Sequence, residues 1–323
     1  MRAVVVRSHG GPEVLVAEEL DRPEPGPGAV LVDVAAAGVN YIDTYHRTGA
    51  YPIPTPFTLG LEGAGTVAAL GEGVTEFAVG DRVAWASAIG SYAQQVVAPA
   101  AQLVPVPSTV DLETAAGAML QGMTAHYLTA STHPVAEGDV ALVHAAAGGM
   151  GLLLTQMIKA RGGRVIGTVS TEDKEKLARE AGADEIIRYT EQDVAERVRE
   201  LTDGVGVHVV YDGVGKDTFD ASLASLRPRG LLALYGAASG AVPAFDAQRL
   251  NSGGSLFLTR PSLGHHTATR EELLWRAGEV FDAIQAGKLD IAIGGRYALD
   301  DARRAHEDLQ GRKTTGKLLL TTS

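Results

Sequence analysis

An α/β fold, with a doubly wound parallel sheet beside a discontinuous β-rich domain, is the class this sequence predicts, and three observations carry it. Short strand patterns broken by Gly and Pro run from Ala3 to Val97, whereas strand and helix patterns alternate from about Leu112 onward. One apolar strand runs straight into Gly148, Gly149 and Gly151 where the first strand–helix unit turns. A last apolar strand, Lys317 to Leu320, has no place in the doubly wound sheet by simple counting, so it is expected to return to the first domain.

Taken in order, Ala3 to Arg7, Val30 to Ala36, Gly65 to Leu70, Arg82 to Trp85 and Ala93 to Val97 alternate or run briefly apolar. Turns such as Pro25 to Gly28 separate them. Leu112 to Ala130 has helical spacing, with Asp111 available as a cap. The alternation then reads as strands at Val140–His144, Arg164–Val169, Glu185–Tyr189, Val207–Asp212 and Leu231–Tyr235. Helices are expected between them at Gly149–Arg161, Thr171–Glu180, Glu191–Leu201 and Lys216–Leu226. Ser255–Leu258 reads as a further strand, and Arg270–Gln285 and Asp300–Leu309 as helices before the terminal strand. Repeated units of this length make a parallel sheet.

The length of 323 residues exceeds the usual span of one core and argues for two domains. Hydrophobic residues at 45% and charged residues at 21% give a globular balance. A net charge of −11 sets the surface against nucleic acid, while a small basic pocket for one phosphate stays compatible with it. Aromatics at 5% are too scarce for base-stacking or carbohydrate platforms. The absence of cysteine excludes disulfides, thiolate nucleophiles and cysteine-ligated metal, and fits a reducing cytoplasm. Val140 to Ile158 is largely apolar, but its two adjacent central glycines and flanking charges favour strand, loop and helix over a membrane span. None of the histidines falls in a zinc-protease or triad signature; His144 reads as a satisfied strand-end residue, and His265 and His266 as solvent-facing.

The segment 140–151, VALVHAAAGGMG, has what a dinucleotide pyrophosphate needs: a tight turn, backbone without a Cβ near the phosphates, and free N–H groups at a helix start. Against G-x-G-x-x-G, Ala146 replaces the first glycine while Gly148 and Gly151 fit. A turn that merely packs a helix on a strand is the competing reading, weakened by its place in a strand–helix series. The next strand ends in Thr168, Val169, Ser170 and Thr171, where an NAD site usually carries an acid for the ribose hydroxyls. Ser170 at that tip, with Lys174 able to attract a 2′-phosphate, favours NADPH. A solvated lysine on the first helical turn is the alternative for Lys174, where its charge would oppose the helix dipole.

The segment 138–159, GDVALVHAAAGGMGLLLTQMIK, resembles the signature of zinc-free, zeta-crystallin-like quinone oxidoreductases of the medium-chain dehydrogenase/reductase superfamily. GVNYIDTYHRTGAYP (38–52), LEGAG (61–65), VGDRVAW (79–85), MLQGMTAHYL (119–128), VVYDGVG (209–215), LYGAASG (234–240) and TRPSL (259–263) resemble further blocks of that family in the same order. The resemblance implies a GroES-like catalytic domain from residues 1–122 and 262–323, and a Rossmann NADPH-binding domain from residues 123–261. Zinc-dependent relatives carry a cysteine near position 38 and a Gly-His-Glu motif; here Gly60-Leu61-Glu62 and a chain without cysteine leave neither zinc site. Without that Lewis acid, reduction of an electron-poor acceptor is the easier chemistry.

The resemblance places Asn40, Asp43 and Tyr45 near the nicotinamide. Asn40 can donate to a carbonyl oxygen, Tyr45 can donate or shuttle a proton, and Arg47 and Tyr51 can stabilise a quinone oxyanion. Loop capping and surface placement are the alternatives for each. Gln121 and Thr124 resemble the helix beside the nicotinamide, and Ala147, Gly148, Gly149, Met150 and Gly151 form the phosphate turn. Ser170 and Lys174 fall at the 2′-phosphate and Tyr189 near the adenosine. Gly213, Val214, Tyr235, Gly236 and Ser239 follow strand ends, where doubly wound sheets bind ligands, and Arg260, Ser262 and Lys317 carry over as further cofactor contacts.

The expected activity is NADPH-dependent reduction of a quinone, without metal or flavin. An enone or alkenal double-bond reductase of the same superfamily stays open, as does a non-catalytic nucleotide-binding protein of crystallin type. A homodimer through the Rossmann sheet edge near Ser255 to Leu258 is implied by the resemblance.

Overall fold

The structure, a computed structural model, describes residues 1–322. It divides into two compact units, Met1–Met123 with Thr267–Ser323, and Thr124–His266. No helix among the described residues is long and apolar enough to cross a membrane.

The first unit opens with β1 (Arg2–Val6), β2 (Leu15–Glu19) and the long β3 (Ala29–Val39), followed by α1 (Tyr41–Thr48). β4 (Phe57–Thr58), β5 (Glu62–Leu70), β6 (Arg82–Trp85), β7 (Gln95–Pro99) and β8 (Val104–Pro105) complete its first pass. Helix α2 (Leu112–Tyr127) then runs on into the second unit. Val30, Val32 and Val34 of β3 pack with Val67, Val83 and the fully buried Trp85. Their alternation buries one face, which is why this part reads so clearly as strands.

The second unit holds β9 (Val140–Val143), α3 (Gly149–Ala160), β10 (Arg164–Val169), α4 (Glu172–Glu180), β11 (Glu185–Arg188) and α5 (Val194–Leu201). It continues through β12 (Val207–Asp212), α6 (Phe219–Ser225), β13 (Leu226–Leu234), α7 (Gln248–Ser252), β14 (Phe257–Thr259) and α8 (Leu263–His266). Its six strands are all parallel, in the order β11-β10-β9-β12-β13-β14. The order reverses between β9 and β12, the place where doubly wound sheets bind their ligands at the strand C-termini. Leu142, Ile166, Val210 and Leu232 from four neighbouring strands form its core. Strands covered on both faces read as continuous apolar runs, and these do.

The chain then returns to the first unit with α9 (Arg270–Gln285), β15 (Ile293–Ala298), α10 (Ala302–Gln310) and β16 (Lys317–Thr321). β16 pairs antiparallel with β3, Leu318 opposite Val39, so the terminal strand does join the N-terminal sheet.

Several features differ from the sequence expectation. α1 falls in a stretch to which the sequence analysis assigned no element: Asp43 Oδ2 accepts from the Asn40 N–H at 2.8 Å, half of a capping box, and Gly49 closes the helix at φ 79°. α6 starts at Phe219 and not at Lys216, because the Asp212 carboxylate takes the Val214 and Gly215 N–H groups and the Thr218 hydroxyl, holding 213–218 as a loop. β15 escapes a pattern reading because Gly294 and Gly295 interrupt its alternation. His266 does not face solvent but stacks on Tyr127, ring centroids 4.2 Å apart and planes within 6°.

Candidate active site

The turn from β9 into α3 makes room for a phosphate by having no side chains there. Ala145 takes a left-handed φ of 51°, and the Gly148 N–H donates back to its carbonyl at 2.9 Å. Gly148 is the N-cap of α3 and brings no capping side chain, so the first amides of the helix are not consumed by one. A Cβ on Gly151 would lie 2.3 Å from the Ala145 carbonyl oxygen and 2.6 Å from Ala146 Cα; only glycine lets α3 approach β9 this closely. Ala147 is buried there, while Gly148, Gly149 and Met150 are half-exposed along the first turn. The alanine in place of the motif's first glycine is accommodated elsewhere: a Cβ on Gly167 of β10 would fall 2.7 Å from the Ala146 Cβ. Sequence reading missed Gly167, and its signal was an isolated glycine inside an apolar strand.

The strand ends around this turn are tied to one another. The Tyr189 N–H donates to the Val169 carbonyl at 3.2 Å and the Thr190 hydroxyl to the Ser170 carbonyl at 3.2 Å, which brings Tyr189 beside Ser170. Thr171 caps α4 by accepting from the Lys174 N–H, so Lys174 sits on that helix's first turn. Thr168, also offered by the sequence as a strand-end hydroxyl, is instead buried and bonded to His144 Nδ1 at 3.1 Å. Tyr235 and Gly236 send their N–H groups to the Asp212 carbonyl, and Ser239 holds the Val214 carbonyl with both its N–H and its hydroxyl. A Cβ on Gly213 would lie 2.8 Å from the Tyr235 ring, so these loops pack backbone to ring. Arg260 and Ser262, both exposed, follow the C-terminal end of β14. On α2, Gln121 carries a buried amide oxygen without a partner among the described residues, and Thr124, three positions on, is buried.

In the first unit the polar candidates separate into three groups. Lys317 is 2% exposed; its ammonium donates to Asn40 Oδ1 at 2.7 Å and Glu62 Oε2 at 2.5 Å. Asn40 Nδ2 donates to Glu62 Oε2 at 2.8 Å and to the Gly38 carbonyl at 3.3 Å, and Glu62 Oε1 accepts from the Leu120 N–H. Both donors and the acceptor of Asn40 are therefore spent inside the protein. The expectation that it donates to a substrate carbonyl is corrected, as is that of Lys317 as a cofactor contact. Arg47 is corrected too: buried, it donates to the Gly10 carbonyl, His306 Nδ1 and Gln310 Oε1, so its guanidinium is not offered to an oxyanion.

The second group links Arg47 to Asp43 through two residues that sequence reading did not single out. Because Arg47 donates to His306 Nδ1, the neutral ring carries its proton on Nε2 and gives it to the Tyr92 oxygen at 3.2 Å. The Tyr92 hydroxyl in turn donates to Asp43 Oδ2 at 2.9 Å. Burial drives the Asp43 carboxyl up to about 7, against the pull of the Asn40 and Tyr92 hydrogen bonds. Burial, then the Arg47 charge, pushes His306 down to about 3. The third group is aromatic: half-buried Tyr45 meets exposed Tyr51 edge to face at 5.2 Å.

These residues do not fit a zinc ion. Leu61 stands in the Gly-Leu-Glu segment where zinc-dependent relatives carry histidine, and the Glu62 carboxylate already has a buried ammonium as its counter-charge. They do fit a dinucleotide, since Gly151 leaves the close-packed turn its phosphates need.

Residues 149–273 match the family described as zinc-binding dehydrogenase, and residues 26–108 the alcohol dehydrogenase GroES-like domain. A quinone oxidoreductase of Pseudomonas aeruginosa is 48% identical over 315 residues, 97% of each chain. A 2-haloacrylate reductase of a Burkholderia species is 45% identical over 326 residues, 98% of each. The structure of a mycobacterial protein complexed with NADPH superposes over the whole of both chains with a TM-score of 0.97 at 55% identity. The chain belongs to the medium-chain dehydrogenase/reductase superfamily, in its zinc-independent quinone oxidoreductase branch.

Proposed function

We propose that this chain is an NADPH-dependent oxidoreductase that reduces quinones without metal or flavin. The observation that carries the reading is the strand–turn–helix at Ala145 to Gly151, closed to any side chain at Gly151, beside a strand end whose tip is Ser170 and not an acid, with Lys174 following Glu172 and Asp173 on the first turn of α4. The NADPH of the mycobacterial relative and the quinone activity named for the Pseudomonas relative support it. NADPH, when bound, supplies a hydride, and a quinone that takes the hydride and one proton becomes a hydroquinone. The chain's own contribution is positioning. Amides at the start of α3 hold the pyrophosphate, while the Ser170 hydroxyl and Lys174 ammonium hold the 2′-phosphate. The edge-to-face pair of Tyr45 and Tyr51 is assigned to the acceptor side, where its aromatic rings can orient a flat quinone. A conjugated carbonyl acceptor is the second reading, favoured by the similarity to the 2-haloacrylate reductase.

The test follows oxidation of NADPH and NADH against benzoquinones, enones and a 2-haloacrylate. Quinone turnover with NADPH favoured about tenfold or more is expected, because one charge-assisted bond to a phosphate is worth about 1.5–3 kcal/mol. Turnover of the conjugated acids or enones alone overturns the quinone reading. A preference for NADH overturns the roles of Ser170 and Lys174.

We also propose that two copies join through β14. That strand has a neighbour only on its β13 side among the described residues, and it exposes Phe257 at 60%. Sedimentation velocity should give a dimer, and Phe257→Lys should move it toward monomer. A monomeric wild-type chain at micromolar concentration rejects the proposal.

A further inference from the structure

Beneath the glycine-rich turn lies a buried polar relay that links the Ala145 turn, the end of β10 and the loop after β12, and that no cofactor contact explains. Asp212, fully buried, accepts from the Val214 and Gly215 N–H groups at 2.8 and 3.0 Å, from the Thr218 hydroxyl, and from the Ser222 hydroxyl at 2.7 Å. Ser222 has given its only proton to Asp212, so its oxygen must accept from His144 Nε2 at 3.0 Å. The ring is then the Nε2–H tautomer, and His144 Nδ1 accepts from the Thr168 hydroxyl at 3.1 Å. The Thr168 oxygen, its proton spent, accepts the Ala145 N–H at 3.3 Å. One direction of donation therefore runs from Ala145 to Asp212 with no donor left over. Each side chain in it is buried: His144 is 2% exposed, Thr168 1%, and Ser222 and Asp212 0%.

The relay ends on a strained residue. Ala145 holds φ 51°, a left-handed conformation that is unfavourable for a non-glycine residue and persists where surrounding contacts over-determine it. Its carbonyl oxygen is the atom that Gly148 N–H bonds and against which Gly151 packs.

We propose that Asp212, Ser222, His144 and Thr168 form one positioning device for the dinucleotide, holding the Ala145 turn, the β10 end before Ser170 and the Gly213–Gly215 loop at fixed separations. The inference rests on the dinucleotide reading above. It makes these four residues positioning residues, since burial keeps them off the ligand. Their main action falls on the Ala145 turn, where the pyrophosphate common to both nicotinamide dinucleotides sits, so both are affected together.

The experiment measures Kd of the full-length chain for NADPH and for NADH by calorimetry, with thermal midpoints alongside. Thr168→Val keeps the buried shape and removes the hydroxyl, leaving the Ala145 N–H and His144 Nδ1 without their partner. It is expected to raise both Kd values about tenfold and in parallel, the equivalent of about 1.4 kcal/mol. Ser222→Ala is expected to do likewise, and Thr168→Ser to return both values to within about threefold of wild type. A lower midpoint with unchanged Kd values would mark the relay as structural only and overturn the proposal. A loss confined to NADPH would overturn it differently, by placing Thr168 at the 2′-phosphate. A wild-type chain that binds neither dinucleotide overturns the functional reading and this inference with it, whereas binding unaltered by the variants overturns the inference alone.

Discussion

Lys317→Met is expected to destabilise the first unit by about 3–5 kcal/mol, the range for breaking a buried ion pair by removing one partner. The cause is the carboxylate left behind. Glu62 is 0% exposed and receives three donors, the Lys317 ammonium, Asn40 Nδ2 and the Leu120 N–H. Without the lysine its buried charge is left with two neutral donors and no counter-charge, which costs free energy. Asn40 loses the donor to its Oδ1 in the same step. Adding Glu62→Gln to Lys317→Met is expected to recover part of the loss, because the amide still accepts from Leu120 and carries no charge. The check is urea denaturation of the single and double variants. A single-variant loss below about 1 kcal/mol would equate the pair with an exposed one and defeat the argument.

That pair also shows where sequence reading ends. The repeated strand–helix units after Val140 were legible because parallel strands buried on both faces write themselves as apolar runs. The glycine turn was legible because a missing Cβ is a sequence feature. Helix α1 was harder: its start is marked by Asn40 and Asp43 three residues on, but buried Asp43, His46 and Arg47 fill the face where apolar residues are sought. Asn40 and Lys317 lie 277 residues apart, and Arg47 and His306 lie 259 apart. No local pattern announces such a meeting, and charged residues are by default assigned to water. Asn40, Arg47 and Lys317 were therefore singled out as site residues while their own partners went unseen. His144 was read as a satisfied strand-end residue, yet its partner Ser222 stands 78 positions away.

Asp43→Asn and His306→Gln are expected to give opposite dependences of stability on pH. Asp43 titrates near about 4 in an unfolded chain and near about 7 in the fold. Between those values the native protein holds a proton the unfolded chain lacks, so this contribution is full below about 4 and is lost as pH rises through about 7. His306 titrates near about 6.5 unfolded and at about 3 in the fold. Over that interval the unfolded chain holds the extra proton, so this contribution is full above about 6.5 and is lost as pH falls toward about 3. Each slope approaches 1.36 kcal/mol per pH unit, and from about pH 4 to 6.5 they oppose each other. In the wild type the pair, joined through Tyr92, therefore adds almost no pH dependence in that window. Asp43→Asn leaves the histidine unopposed, and stability is expected to fall by about 3 kcal/mol as pH drops from 6.5 to 4. His306→Gln leaves the carboxyl unopposed, and stability is expected to fall as pH rises across the same window. Urea midpoints at half-unit intervals read both slopes. A flat profile in His306→Gln, with the wild type as steep as Asp43→Asn, would mean that Asp43 is ionised in the fold and would defeat the argument.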